Sequence, residues 1–206
     1  LTDYVRRLVE TLFNVKPHFW RFCSKRAFAL SFSSKRIIND LINLGLKAGK
    51  KSQIVEVPKV ILDNSNLIVK AAFLRGLFDT DGSVVFKNKR KEYTIIDLTT
   101  SSEKLAYQVK ELLKEFGITS SIAVVRKPKS FSKVDQYALR IYAKRNFNLW
   151  MRHIKFSNEN HLSRICVWKK LGFYPPHISF RERLLILSNN RLDMPWATTA
   201  LNRKVG

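Results

Sequence analysis

Two carboxylates, Asp79 and Asp81, close the apolar stretch Phe73-Leu74-Arg75-Gly76-Leu77-Phe78-Asp79-Thr80-Asp81-Gly82, and strand-forming residues follow at once in Ser83-Val84-Val85-Phe86. The run predicts a helix that ends at the second acid. That ending is electrostatically odd, because a helix C-terminus carries about half a negative charge, and a carboxylate in the last turn costs on the order of 0.3–1 kcal/mol. A bound cation would reverse the sign. Gly82 is placed to be the left-handed residue that stops the helix. A buried helix with a polar C-cap would carry the same letters, so a chemical role needs independent support. Composition supplies some. There are 38 Lys and Arg against 16 Asp and Glu, a formal charge of +22 over 206 residues. Such an excess self-repels unless a polyanion neutralises it, which makes nucleic acid the expected partner.

The stretch resembles the signature of the LAGLIDADG homing endonucleases. Leu74 to Gly82 stand on its nine positions, and only Arg75, Phe78 and Thr80 depart from the name's letters. The resemblance implies a site-specific endonuclease that hydrolyses both strands of a long DNA duplex with Mg²⁺, or another divalent cation such as Mn²⁺. Hard cations held by few carboxylates keep most of their waters and suit phosphodiester hydrolysis. The resemblance also implies that Asp81, at the eighth motif position, is the metal ligand. Asp79, two residues away, points elsewhere on the helix and is expected to cap or to salt-bridge. Gly76 permits close approach of a second motif helix, with Phe73 and Leu77 (i, i+4) as the packing seam.

The family usually adds a lysine a few residues after each closing helix, near the attacking water. Counting five residues on from Leu46 reaches Lys51, and from Phe156 reaches His161. Both are candidate catalytic residues. A histidine neutral at pH 7 does not replace a fixed ammonium charge, so the second half departs from the pattern here. Ordinary surface residues at both positions would fit the same spacing.

The elements around the acids occur twice. Tyr4 to Leu46 and Ala106 to Phe156 each open on an amphipathic helix (Val5, Leu8, Val9, Leu12; Val109, Leu112, Leu113, Phe116). Each continues through a short turn (Asn14-Val15; Gly117-Ile118) and two strands. Alternating Phe28, Leu30, Phe32 and Tyr137, Leu139, Ile141 mark the second strand of each copy. Each closes with Lys-Arg opening a helix that ends in Leu44-Gly45-Leu46 or Ile154-Lys155-Phe156. Four elements in one order indicate an internal duplication. The second copy follows the acidic helix and a hairpin, Ser83–Phe86 and Glu92–Thr100. The copies are 103 residues apart (Phe13 to Phe116), so a partner motif helix is expected about thirty residues ahead of Leu1.

The expected fold is therefore α+β, with two pseudo-symmetric αββαββα LAGLIDADG halves, the first truncated at its N-terminus. The resemblance implies that their antiparallel sheets form a saddle, and a helical C-terminal tail follows. Expected domains are residues 1–66 (truncated half and linker, with Lys47 to Asn66 as linker), 67–165 (second half) and 166–206 (helical extension). Leu162 to Trp168 and Arg181 to Ser188 predict helices in that region, and a third is expected over Ala197 to Val205.

A β-ribbon fits the major groove, where Arg or Lys reads guanine and Asn or Gln reads adenine. Arg140 and Tyr142 lie on the strand face opposite the core residues. Loops supply Lys87, Lys89, Arg90, Lys91, Arg126, Lys127, Lys129 and Lys133, which more often touch phosphate than base. With 45% hydrophobic residues the chain has enough for a folded core rather than a disordered basic arm. No run approaches the ~18 apolar residues of a membrane span, and Leu1 does not open a signal peptide. Cys23 and Cys166 have no Cys or His neighbour at zinc spacing and are expected to be reduced thiols inside the cell, in cytoplasm, nucleoid or organelle. The expected state is a monomer of two halves. Neither end carries intein splicing residues, which favours a freestanding or intron-encoded enzyme or an excised segment of a larger one. The alternative is a non-cleaving DNA-binding regulator on the same scaffold, or a maturase acting on intron RNA.

Overall fold

The computed structural model describes residues 2–21, 28–47, 49, 52–87, 93–125 and 134–188. In chain order the elements are α1 (Thr2–Phe13), β1 (His18–Arg21), β2 (Phe28–Ser31), α2 (Lys35–Asn43), α3 (Lys59–Leu62), α4 (Leu67–Thr80) and β3 (Gly82–Lys87). Then come β4 (Tyr93–Thr100), α5 (Glu103–Glu115), β5 (Ser121–Val125), β6 (Gln136–Ile141), α6 (Lys144–His153), α7 (Glu159–Leu171) and α8 (Phe180–Ser188). The class is α+β, with antiparallel sheets. One sheet pairs β1 with β2. The other runs in the order β3-β4-β6-β5.

The duplication is visible in the backbone. α1-β1-β2-α2 and α5-β5-β6-α6 follow the same order, with β1 antiparallel to β2 and β5 to β6. Left-handed residues recur at matching places. Asn14 (φ 52) and Gly117 (φ 68) turn the chain after α1 and α5, and Gly45 (φ 100) and Lys155 (φ 66) do so after α2 and α6. Lys155 holds without strain relief a conformation that favours glycine, and its amide donates to the Trp150 carbonyl at 2.8 Å.

The main core lies between the four-stranded sheet and α4, α5 and α6. Leu74, Phe78, Val84, Ile96, Leu98, Leu139, Ile141 and Trp150 are fully buried there. The Phe78 and Trp150 rings meet edge to face with centroids 4.6 Å apart, a geometry that suits the aromatic quadrupole. The matching stripe of α1 is not covered to the same degree. Leu12 is 68% exposed, whereas Leu112 and Leu113 on α5 are buried under four strands rather than two.

The stretch read as a linker is pinned along part of its length. Val57 is buried, its amide donating to Gln108 Oε1 at 2.8 Å, and Ser102 Oγ donates to the Val55 carbonyl. Glu56 pairs with Lys47 at 2.8 Å and with Lys104. Asn66, a predicted cap residue, caps α4 by accepting from the Ile68 amide. α7 runs unbroken across Ile165 and Cys166 and ends at left-handed Gly172. It packs with α8 around a second small core of Val167, Ile178 and Ile186. Ala197 to Val205 lie outside the described residues. Among those described, no helix is long and apolar enough to cross a membrane.

Candidate active site and nucleic-acid interface

Three polar ties hold α4 in place. Lys70, buried, pairs with Glu115 at 2.8 Å at the end of α5. Arg75 Nε donates to the Ile154 carbonyl at 2.6 Å, at the end of α6. The third tie is Asp79. Its carboxylate is only 3% exposed and accepts from the Ser157 amide (2.9 and 3.1 Å) and the Asn158 amide (3.1 Å). Asn158 Nδ2 donates back to the Asp79 carbonyl at 2.8 Å. These bonds lock the last turn of α4 to the loop that opens α7. Asp79 therefore caps a neighbouring segment.

Asp81 is the C-cap of α4, its amide donating to the Leu77 carbonyl at 3.0 Å. It is exposed, and its carboxylate has no hydrogen bond or ion pair among the described residues. The two acids are thus separated by function of position: one is consumed by backbone donors, the other is free. No cluster of three or more His, Cys, Asp or Glu residues occurs among the described residues. Asp81 can serve as one ligand of a hard cation, and the remaining ligands would be water and phosphate oxygens or a second acid. A lone exposed carboxylate fits the water-rich, phosphate-sharing coordination of Mg²⁺.

Gly82 departs from the expectation. It is not left-handed; it opens β3 in a conformation open to other residues. Glycine is needed for a different reason, since a Cβ there would lie 2.6 Å from the Phe78 carbonyl oxygen and 2.9 Å from its Cα. The tight passage from helix to strand, rather than a positive φ, excludes a side chain. At Gly76 a Cβ would meet nothing within 4 Å among the described residues. Phe73 and Leu77 are half-buried against the molecule's own core.

His161 lies in the first turn of α7. It is 5% exposed, against Phe156 with ring centroids 5.1 Å apart, and among the described residues its ring nitrogens make no well-formed hydrogen bond, the Phe78 backbone being close enough only for a weak one. Burial pushes its pKa below the ordinary value; the Asp79 carboxylate and the Phe78 backbone oppose this and the Arg164 guanidinium adds to it. The structure thus brings His161 beside Asp79, as a buried group favouring the neutral form. Lys51, Lys89, Arg90, Lys91, Arg126, Lys127, Lys129 and Lys133 lie outside the described residues, as does the side chain of Lys87, which ends β3.

Arg140 is on the expected face of β6, opposite buried Leu139 and Ile141, and Tyr142 follows directly after the strand's end. Arg140 is not free. Its Nε donates to Asp97 Oδ2 on β4 at 2.8 Å, and Thr99 Oγ1 donates to Asp97 Oδ1 at 3.1 Å. Bonding to Asp97 and then to Tyr142 raises the Arg140 pKa further. Sequence reasoning missed Asp97, Arg75 and Asn158. Asp97 had a signal, as the one acid in the β-branched run Thr94-Ile95-Ile96-Asp97-Leu98. The partners of Arg75 and Asn158 are 79 residues away and left none.

A helix ending in a free acid, followed by a hairpin and a second αββα unit on one antiparallel sheet, defines a class. Residues 69–155 match the model of the LAGLIDADG-like domain, and this stretch of the chain is a LAGLIDADG-like domain. Among curated proteins, the chain is 28% identical over 194 residues to "Probable translation initiation factor IF-2" of Methanocaldococcus jannaschii, covering 90% of this chain and 16% of that protein. It is 31% identical over 160 residues to the replication factor C small subunit of the same organism (77% and 8%). It is 37% identical over 102 residues to the ATP-dependent DNA helicase Hel308 of Thermococcus kodakarensis (50% and 8%). The chain spans a sixth or less of each of these relatives. Among solved structures, it is similar to I-DmoI in complex with DNA and Mn at 22% identity and a TM-score of 0.32 (52% of this chain, 59% of that one). A Ca complex of I-DmoI matches at 19% and 0.32 (67% and 100%).

Proposed function

We propose that this chain acts as part or all of a site-specific, divalent-metal-dependent DNA endonuclease of the LAGLIDADG homing type, which cleaves both strands of its target. The observation that carries the reading is the contrast between the two motif acids. Asp79 is buried and saturated by backbone donors, and Asp81 is left exposed and, among the described residues, unpaired where α4 passes directly into β3. A carboxylate held rigidly at the negative end of a helix is unfavourable by itself. It becomes favourable beside Mg²⁺ or Mn²⁺. The ion would supply activation of water and stabilisation of charge on the phosphate. The chain's own residues hold and position the acid: Asp79, Arg75 and Lys70 fix α4, and Gly82 sets the turn that presents Asp81.

The net charge of +22 supports duplex DNA as partner. The matched relatives are named for unrelated activities, so their names do not assign this chain a substrate. The reading takes residues 1–66 as a half with linker, 67–165 as the half that bears Asp81, and 166–206 as a helical extension. It takes Phe73, Gly76 and Leu77 as the seam for a second motif helix, Lys51 and His161 as the residues nearest the attacking waters, and the loop cations as phosphate contacts, in a monomer inside the cell. Asp81→Asn in the full-length protein tests it. Binding to target DNA should survive and cutting should be abolished; cleavage at the wild-type rate would place the site elsewhere.

One observation favours a second reading, a non-cleaving DNA-binding regulator or an intron RNA maturase. His161, at the place of the family's lysine, is buried and shifted toward neutrality, so it offers no charge there at pH 7. Tight, site-specific binding without cleavage in any divalent metal would select this reading.

A further inference from the structure

A buried cation joins α8 to α7. Arg183 is 5% exposed, and among the described residues its hydrogen-bond acceptors are all uncharged. Its Nε donates to Ser163 Oγ at 3.0 Å, and its Nη1 to the Tyr174 hydroxyl at 3.1 Å and the Ile178 carbonyl at 3.2 Å. Its Nη2 donates to Asn160 Oδ1. Burying a charge is costly, and an apolar side chain of similar volume often serves packing as well or better. What the guanidinium adds is placement. One rigid planar group holds two residues at the start of α7, Asn160 and Ser163.

That start of α7 is the part that reaches the motif acids. The Asn160 amide donates to Asn158 Oδ1 at 2.9 Å, and Ser163 Oγ donates to the Asn160 carbonyl at 3.1 Å. Asn158, the N-cap of α7, donates from Nδ2 to the Asp79 carbonyl at 2.8 Å. The Ser157 and Asn158 amides close on the Asp79 carboxylate. A continuous run of hydrogen bonds therefore leads from α8, through the start of α7, to the last turn of α4. Asp81, the next residue but one, has no side-chain partner among the described residues, so its carboxylate stands wherever the end of α4 is held. Groups that act at a reacting centre must be held to within about 0.5 Å. Losing an outer partner of a metal ligand costs roughly ten- to a hundredfold in metal affinity or activity.

Resting on the endonuclease reading above, we infer that Arg183 and Asn160 are positioning residues for Asp81. The helical extension clamps the start of α7, and through Asn158 and Asp79 it fixes the end of α4, so that the exposed acid meets the metal in one place.

The test uses the full-length protein bound to its target duplex. Mn²⁺ uptake by the complex is read by electron paramagnetic resonance, independently of cutting, and steady-state kinetics separate kcat from KM for the duplex. The uptake that Asp81→Asn abolishes is the one that counts. Asn160→Ala, at an exposed position, removes the acceptor that Arg183 holds. It should weaken that Mn²⁺ affinity and lower kcat, each by about tenfold, with KM for the duplex unchanged. Asn160→Asp keeps the acceptor and should retain the wild-type values. Arg183→Met should repeat the loss seen in Asn160→Ala; should it fail to fold, the two Asn160 variants decide alone. Wild-type Mn²⁺ affinity or kcat in Asn160→Ala, a rise of KM in step with the loss, or the same loss in Asn160→Asp overturns the inference and leaves the endonuclease reading standing. A wild-type complex that takes up no Mn²⁺ through Asp81 and cuts neither strand overturns both.

Discussion

Asp79 and Asp81 are two residues apart and of one type, yet their surroundings predict opposite effects on stability. Asp79→Ala would strip two backbone amides, Ser157 and Asn158, of a charged acceptor in a site that is 3% exposed. A hydrogen bond to a charged group contributes about 1.5–3 kcal/mol. Relief of the carboxylate's own desolvation offsets part of the total, so the net loss should be about 2–4 kcal/mol. For a chain of this size that lowers the unfolding temperature by about 4–16 °C. Asp79→Asn keeps one acceptor oxygen and should lose roughly half as much. Asp81→Asn removes a free carboxylate from the negative end of α4, and without metal it should gain about 0.3–1 kcal/mol. Urea unfolding of the full-length wild type and the three variants in EDTA measures all of this. Equal losses at 79 and 81, or a stable Asp79→Ala, would refute the assignment of one acid to the fold and the other to chemistry. Cleavage should rank in the opposite order, abolished by Asp81→Asn and reduced less by Asp79→Asn.

The two glycines of the motif should likewise separate. Gly82→Ala forces a Cβ against the Phe78 backbone and should cost about 1–3 kcal/mol, whereas Gly76→Ala faces open space in a helix and should gain up to about 1 kcal/mol, both read by thermal unfolding of this chain. Glu56 is held at a pKa of about 2, below its usual 4.5, chiefly by Lys104 and then Lys47. Its stabilising effect is therefore present above pH 4.5 and is lost as pH falls toward 2, so the stability difference between wild type and Glu56→Gln should vanish across that window in a pH series of urea midpoints. His161 runs on the histidine range: its depressed folded pKa means that the unfolded chain takes up the proton first, so stability should fall as pH drops below ~6.5. His161→Phe should flatten that part of the profile, and a steep profile in the variant would assign the proton to another group. The affinity for target duplex should fall with log salt at a slope near −0.9 per phosphate neutralised, with at least ~6 contacts; a flat titration by filter binding would count against DNA as partner.

The sequence alone determined the large features because they rest on local patterns. Three- and four-residue spacing announced α1 and α5, strict alternation announced β6, Asn66 announced the start of α4, and Lys-Arg opened both α2 and α6. The repetition of those patterns revealed the duplication, and the decapeptide pointed to the LAGLIDADG-like domain that matches residues 69–155. Only the tertiary structure decided what each polar group in the motif touches. Asp79 differs from Asp81 because a loop 78 residues later brings its amides to one carboxylate and not the other. Gly82 is required because a strand leaves a helix too tightly for a Cβ, a contact with a residue four positions back that the letter G does not distinguish from a left-handed turn. Arg140 acquired its partner Asp97, and His161 its burial, from strands and helices distant in sequence. Periodicity records which face a residue takes, since that depends on neighbours along the chain. Partner, burial and protonation depend on what packs against that face, and those are settled when the elements meet.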